Sequence, residues 1–398
     1  MRVRFYSYFY PPCVGGGEVI LQHQAEGLAA RGHEVHVHTT TYTNLNLAER
    51  TAPGSTREEG VRVHRRPSVA LPFPNPLEQD ALTPAFLADA WLPADLLVCV
   101  GYPSVHLAAL SARARATGTP LLVQNYVTAD FLGEILGGVG GWNKRVRARL
   151  WKGPVRRALA RARRVIADSP GAARGLREGL GLDNVVFHVG MAVDPDEFDA
   201  VGANEVDAVR ARFRLGADRV VLAPSRLAPQ KGADWLVEAA LPLLEIPGWR
   251  LVIPGAVNDA AFAAQVRAAA RPFGDRVVFG PVDRATLVAL FKAASVVVLP
   301  SRGETVGGVV FEGMWAGALA IVSDAVEAAR DAYLRDGENG LLVPVGDVGA
   351  LRDALRRALT DDLPAVRAAG RAMVEAEYTW DASVGRLERL YTEAVRGG

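Results

Sequence analysis

The chain has 398 residues, 49% hydrophobic and 22% charged, which is enough for two cores, because a single core seldom grows past about 250–300 residues. A formal net charge of +1 argues against a nucleic-acid footprint, which would need a clustered basic excess, and points to a small partner. Cys13 and Cys99 are too few for a disulfide framework or a Cys-rich metal site, and no run approaches about 18 apolar residues, so the expectation is a soluble, cytoplasmic protein.

The first apolar run, Val3–Phe9, predicts a strand, and Gly15-Gly16-Gly17-Glu18 then opens a helix carrying Ala25, Leu28 and Ala29. Glycines at such a turn let backbone N–H groups approach an anion. The stretch is neither G-x-G-x-x-G nor a P-loop, and a bare tight turn is the plainer alternative. Val35–Thr39, Leu96–Val100, Leu121–Val123 and Val165–Ala167 continue the strand series, with helical spacing at Leu107 and Leu110 between them. Short apolar runs divided by helices predict a parallel sheet buried on both faces, in an α/β fold. His36 and His38 share one face of their strand; with no third ligand in view they read as satisfied histidines. His23 and His106, near sheet ends, are candidates for an acceptor site. Gly133–Gly141 predicts a loop, followed by a basic helix with Lys144, Arg145, Arg147, Arg149, Lys152, Arg156 and Arg157. That helix would suit an acidic acceptor or a membrane surface, although a solvated face is the plainer reading and nothing else indicates a membrane.

The alternation lapses around Gly190–Asp218 and restarts with Val220–Ala223, Arg250–Ile253, Val277–Phe279, Val296–Leu299, Ala320–Val322 and Leu341–Val343. Helices such as Trp235–Leu244 and Leu351–Leu359 intervene, so a second doubly wound lobe is expected. Trp380–Val395 places Val384, Leu387, Leu390 and Tyr391 on one face and predicts a closing amphipathic helix. The domains are expected at 1–192 and 193–377, with a closing helical segment at 378–398.

Open α/β sheets bind ligands beyond the carboxyl ends of their strands. After Val220–Ala223 stands Ser225-Arg226-Leu227-Ala228-Pro229-Gln230-Lys231-Gly232, in a sequence that otherwise has lysine only at 144, 152 and 292. The planar fork of Arg226 and the point charge of Lys231 suit the two phosphates of a diphosphate; surface solvation is the alternative. After Val296–Leu299 comes the segment from Pro300 to Gly317, with Glu304 expected to end a strand and Glu312 two helical turns on. Carboxylates only accept hydrogen bonds and a vicinal diol offers two donors, so two separated carboxylates suit the ribose and hexose diols of a nucleotide sugar. Thr305, Val306, Gly307, Gly308 and Val309 supply amides between them. A glycosidase-like acid/base pair is the rival reading, weakened by the two-lobed α/β setting.

Together these segments resemble glycosyltransferase family 4, of the GT-B fold. The resemblance rests on Gly16-Gly17-Glu18, Arg31-Gly32-His33-Glu34-Val35, Ile166-Ala167-Asp168-Ser169, Val193-Asp194-Pro195 with Phe198, Ser225-Arg226-Leu227 with Lys231-Gly232, Leu299-Pro300-Ser301, Glu304 to Glu312, and Asp336-Gly337 with Asn339-Gly340-Leu341. It implies two Rossmann-like doubly wound domains, the first taking the acceptor and the second the nucleotide sugar, with a C-terminal helix crossing back to the first. It implies a retaining, metal-independent hexosyltransferase moving a hexosyl unit from an NDP-sugar to a hydroxyl acceptor, whether natural product, glycan or lipid-linked. Arg226 and Lys231 would then bind the donor diphosphate, Glu312 the ribose, and Glu304 with the following amides the sugar and phosphate. Gly16 or Gly17 would close over the phosphate. No cofactor is implied; the donor is a substrate whose base is unread.

Two departures stand out. Val306 replaces the family's usual phenylalanine, and Asn125 with Tyr126 stands where an active-site histidine is common; either of these two would still reach the sugar. Asp194-Pro195-Asp196 has a D-x-D form but matches the family's Val-Asp segment, so it is not expected to hold a metal. A nucleotide-sugar epimerase of related fold and a non-catalytic sugar-nucleotide binding protein are the alternative functions.

Overall fold

Buried apolar strands and the helices between them build two largely parallel sheets. The computed structural model describes residues 1–13, 15–44, 47–70, 81–101, 106–125, 153–361 and 363–397. The chain divides into two units, one of Met1–Gly190 with Trp380–Gly398 and one of Met191–Thr379.

The strands of the first unit are β1 (Arg2–Tyr6), β2 (Glu34–Thr40), β3 (Gly54–Glu58), β4 (Val61–Arg66), the short pair β5 (Val69–Ala70) and β6 (Ala81–Leu82), β7 (Leu96–Val100), β8 (Leu121–Asn125), β9 (Arg164–Ala167) and β10 (Val185–Phe187). Eight of them form one sheet in the order β10-β9-β8-β7-β1-β2-β4-β3. On one face Val3, Phe5, Val35, Val37, Val61 and Val63 meet Leu21, Ala25 and Leu28 of the helix Gly16–Ala30. The closing helix Trp380–Arg396 adds Val384, Leu387, Tyr391 and Ala394 to that same core, which gives its apolar stripe a burial partner. Across the sheet, Leu97, Cys99, Val123 and Val165 pack with Leu107 and Leu110 of one helix and Leu176 and Leu180 of another.

Two sequence expectations change here. The strand expected at Val3–Phe9 ends at Tyr6. The stretch 41–84, where the apolar pattern announces no strand, contains the antiparallel hairpin β3–β4, whose two-residue turn, Glu59-Gly60, has φ of 44° and 82°. Two positive φ values in a row suit the twist of a tight hairpin. The loop 133–141 and most of the basic helix lie outside the described residues.

The second unit contains β11 (Arg219–Leu222), β12 (Trp249–Pro254), β13 (Val277–Gly280), β14 (Ala294–Leu299), β15 (Leu319–Ser323) and β16 (Leu341–Val343). All pair in parallel, in the order β13-β12-β11-β14-β15-β16. The order runs outward from β11 on one side and from β14 on the other. The switch point therefore lies between β11 and β14, where an open α/β sheet leaves a crevice at its carboxyl edge.

Candidate active site

Both loops singled out in the second half of the chain leave that switch point. Beyond β11 the chain makes a 3-10 turn, Pro229–Lys231, ending at Gly232 with φ of 70°. A Cβ on Gly232 would lie 1.9 Å from the carbonyl oxygen of Pro300, so only glycine allows the two loops to approach. The Lys231 side chain is 16% exposed and its Nζ pairs directly with Glu304 Oε2. Arg226 is exposed, and its guanidinium pairs with no carboxylate among the described residues.

Glu304 does not end a strand as expected, because β14 stops at Leu299. It sits in the following loop, held by an isolated bridge to Val326: its N–H donates to Ala325 O at 3.2 Å and its carbonyl accepts from Glu327 N at 2.9 Å. Sequence reasoning missed the side chain that ties this loop to the lysine turn. Arg302 forks onto Asp234 with contacts of 2.9 and 2.6 Å, donates to Pro229 O, and lies 4.1 Å from the ring centroid of Trp235. The backbone adds Arg302 N to Gln230 O at 2.7 Å, and Gln230 Nε2 donates to Gly303 O at 2.7 Å. Lys231 and Glu304 are thus carried on loops braced by a bidentate ion pair and backbone hydrogen bonds.

Val306 is buried, and its carbonyl accepts from Tyr333 Oη at 2.7 Å, so its side chain and carbonyl pack into the unit. Gly307 caps the helix Gly308–Trp315 with φ of 75° and ψ of 57°, a left-handed conformation that favours glycine. The first N–H groups of that helix, at Gly308 and Val309, have no partner within its own ladder and point out of its positive end. Glu312 lies further along the helix, 14% exposed, and burial pushes its carboxyl above the ordinary range. Arg284 opposes that effect from 2.5 Å away and also pairs with Glu197.

In the first unit, Gly16 and Gly17 form the first residues of their helix, behind an extended Gly15. The Glu18 carboxylate folds back so closely that a Cβ on Gly15 would lie 2.2 Å from its Oε2, and burial raises its pKa. Asn125 ends β8, in register with Ala167. Its side chain and Tyr126 lie outside what is described. His23 stacks on Trp380 with centroids 4.2 Å apart, and His106, buried, accepts from Thr83 N at 3.1 Å with its pKa brought down to about 4 by burial. Both rings are packing elements of the first unit.

The hairpin also brings up a third histidine that the apolar pattern does not announce, His64, in register with His38, and His36 and His38 are hydrogen-bonded as expected of satisfied rings. His36 Nε2 donates to Glu34 Oε1 at 3.1 Å, and its Nδ1 accepts from His64 Nε2 at 3.0 Å; His64 Nδ1 accepts from Ser55 Oγ at 2.8 Å. His38 accepts from Arg4 Nη1 at 3.0 Å and donates to Asp89 at 2.9 Å. The His36 and His64 rings have centroids 5.3 Å apart and planes within 13°, so their facing nitrogens leave room for a proton between them. Metal ligands instead aim their lone pairs at a common point about 2.0–2.1 Å away. Asp194, from the D-x-D stretch, caps the helix Pro195–Asp199 by accepting from Asp196 N at 3.0 Å.

Comparison with known proteins fits this architecture. Residues 15–190 match the glycosyl transferase 4-like domain and residues 218–361 match glycosyl transferases group 1. The chain is 32% identical to the D-inositol 3-phosphate glycosyltransferase of Acidothermus cellulolyticus over 97% of its own length and 87% of that protein's. Other curated relatives align over about half of their own length. Among solved structures, the sucrose-phosphate synthase of Thermosynechococcus elongatus superposes with a TM-score of 0.73 at 22% identity, covering 100% of both chains. Alr3699/HepE of Anabaena, in complex with UDP, gives 0.74 at 18% identity over 99% of this chain and 100% of that one. The chain belongs to glycosyltransferase family 4: it is a glycosyltransferase with the GT-B fold of two Rossmann-like domains. Among the described residues no helix is long and apolar enough to cross a membrane.

Proposed function

We propose that the protein transfers a hexosyl unit from an NDP-sugar to a hydroxyl acceptor with retention at the anomeric carbon, the second unit holding the donor and the first the acceptor. The meeting of Lys231 with Glu304 at the switch point, beside the N-terminus of the helix Gly308–Trp315, carries this reading. Arg226 and Lys231 take the diphosphate and stabilise the negative charge that grows on it as the sugar leaves, which is electrostatic catalysis without a metal. Glu304 then accepts from hydroxyls of the transferred sugar, and Glu312 accepts from the ribose diol. The amides of Gly308 and Val309 face the β-phosphate. The donor phosphate serves as the acceptor's base, so no histidine is required at Asn125. The similarity to a D-inositol 3-phosphate glycosyltransferase makes D-inositol 3-phosphate the first acceptor to try.

Thermal-shift measurements with UDP-, GDP-, ADP- and dTDP-sugars test the donor, because a ligand that binds only the folded state raises its stability. The stabilising donor, incubated with polyol and glycan acceptors, should give a product whose anomeric configuration by NMR matches the donor's. Failure of all four donors to stabilise the protein, or an inverted product, sinks the reading. Isomerisation of the donor with no acceptor present would favour the epimerase alternative.

A further inference from the structure

We infer that Arg284 is a positioning residue that aims and anchors the Glu312 carboxylate for the ribose diol, with Glu197 as its second support. The inference rests on the reading of Glu312 given above. Three helices each contribute one charge: Pro195–Asp199 brings Glu197, Arg284–Ala293 brings Arg284 at its first position, and Gly308–Trp315 brings Glu312. The helix starts are fixed. Asp194 caps the first, and Asp283 caps the second by accepting from Thr286 N at 2.8 Å and Thr286 Oγ1 at 3.0 Å.

Arg284 Nη1 meets Glu312 Oε1 at 2.5 Å, while its Nε donates to Glu197 Oε2 at 3.0 Å and its Nη2 pairs with the same oxygen. A guanidinium has five donors in a rigid plane, so an arginine engaged at both ends cannot swing freely. A carboxylate has about four acceptor sites, so using one on Arg284 leaves Oε2 and the remaining lone pairs for two hydroxyl donors. The geometry also accounts for Glu197, which follows directly on the D-x-D stretch: it holds Arg284 from the far side.

Without Arg284, Glu312 would remain in a site where burial already raises its pKa, with Glu197 as its remaining charged neighbour and of like sign. Its charged form would then be lost at a higher pH, and a neutral carboxyl is a poorer acceptor for a diol.

Titration calorimetry with UDP, GDP and ADP identifies the tightest nucleotide, which is then compared with its 2′,3′-dideoxy counterpart. The wild-type protein should prefer the ribose form by about tenfold or more, the usual worth of a hydrogen bond to a charged group. Arg284→Ala should reduce that preference to about threefold or less, leave the dideoxy nucleotide's affinity unchanged, and make ribonucleotide binding weaken at a higher pH than in the wild type as the medium is acidified. Arg284→Lys, which keeps the charge but not the fork, should restore part of the preference. If Arg284→Ala does not fold, Arg284→Gln carries the same comparison. A variant with the wild-type preference and the wild-type pH response overturns the inference and leaves Glu312 in its role. A wild-type protein that binds none of the three nucleotides, or does not distinguish the dideoxy form, overturns both.

Discussion

Lys231 and Glu304 are 73 residues apart in sequence, yet they form a direct ion pair across the two loops that leave the switch point of the second sheet. Each is the other's partner, so a diphosphate has to compete with Glu304 for the lysine. Glu304→Gln removes that competitor. Nucleoside diphosphate affinity should therefore rise about three- to tenfold, in line with about 1 kcal/mol for a partly exposed pair, while sugar transfer falls by about a hundredfold. Calorimetry and a transfer assay on the same preparation check both halves, and a joint fall in affinity and turnover would show that the pair does not mask the lysine.

Arg302 braces the loops that carry this pair, with its side chain 32% exposed and Asp234 28% exposed. Arg302→Ala removes a bidentate ion pair, a bond to Pro229 O and the contact with Trp235, together worth about 2–3 kcal/mol. For a unit of this size, that corresponds to a melting temperature lower by about 5–10 °C. Arg302→Lys should fall between the two, because an ammonium cannot fork onto Asp234. Differential scanning calorimetry on the three proteins provides the comparison.

The histidine file in the first unit makes stability depend on pH. Burial, reinforced by His38 and His36, brings His64 down to about 4, and burial lowers His36 and His38 as well. His106 and His188 are likewise buried and held at about 4. In the unfolded chain each returns to about 6.5, so below that pH the unfolded state binds more protons than the folded one. The stabilisation is complete above about pH 6.5 and is lost as pH falls toward 4. Urea midpoints should be level from about pH 8 to 6.5 and then drop. His64→Gln should make the drop shallower, and a slope unchanged by that substitution would remove the file from the explanation.

Local pattern made much of this molecule legible. The buried runs that became β1, β2, β7 through β9 and β11 through β16 announced themselves as apolar stretches, and the turn chemistry of Lys231-Gly232 and Gly307 marked where the sheet opens. The β3–β4 hairpin was hidden because Gly54–Glu58 lies at a solvated edge and carries almost no apolar signal. Its one clue was the turn Glu59-Gly60 followed by the alternation Val61-Arg62-Val63-His64. Missing β4 also meant missing His64. Arg284 and Arg302 were illegible for another reason: their partners lie 87, 28 and 68 residues away, and only the register of the parallel sheet brings them together.

Gly232 offers the most direct test of how that sheet edge is built. Its φ of 70° costs an L-residue about 1–2 kcal/mol, and a Cβ there would also lie 1.9 Å from the carbonyl oxygen of Pro300, a backbone atom that cannot rotate away. Gly232→Ala must therefore push the lysine turn off the loop that follows β14, which carries Lys231 away from the switch point and loosens the grip of Arg302. The expected outcome is a loss of stability of more than about 2 kcal/mol, together with nucleoside diphosphate affinity lowered by at least about tenfold. Replacing the neighbouring exposed Gln230 with Ala loses only a side-chain bond to Gly303 O and should cost about 1 kcal/mol or less. Equal effects at the two positions, measured by urea denaturation and calorimetry, would mean that the close approach of the loops is not what holds the site open.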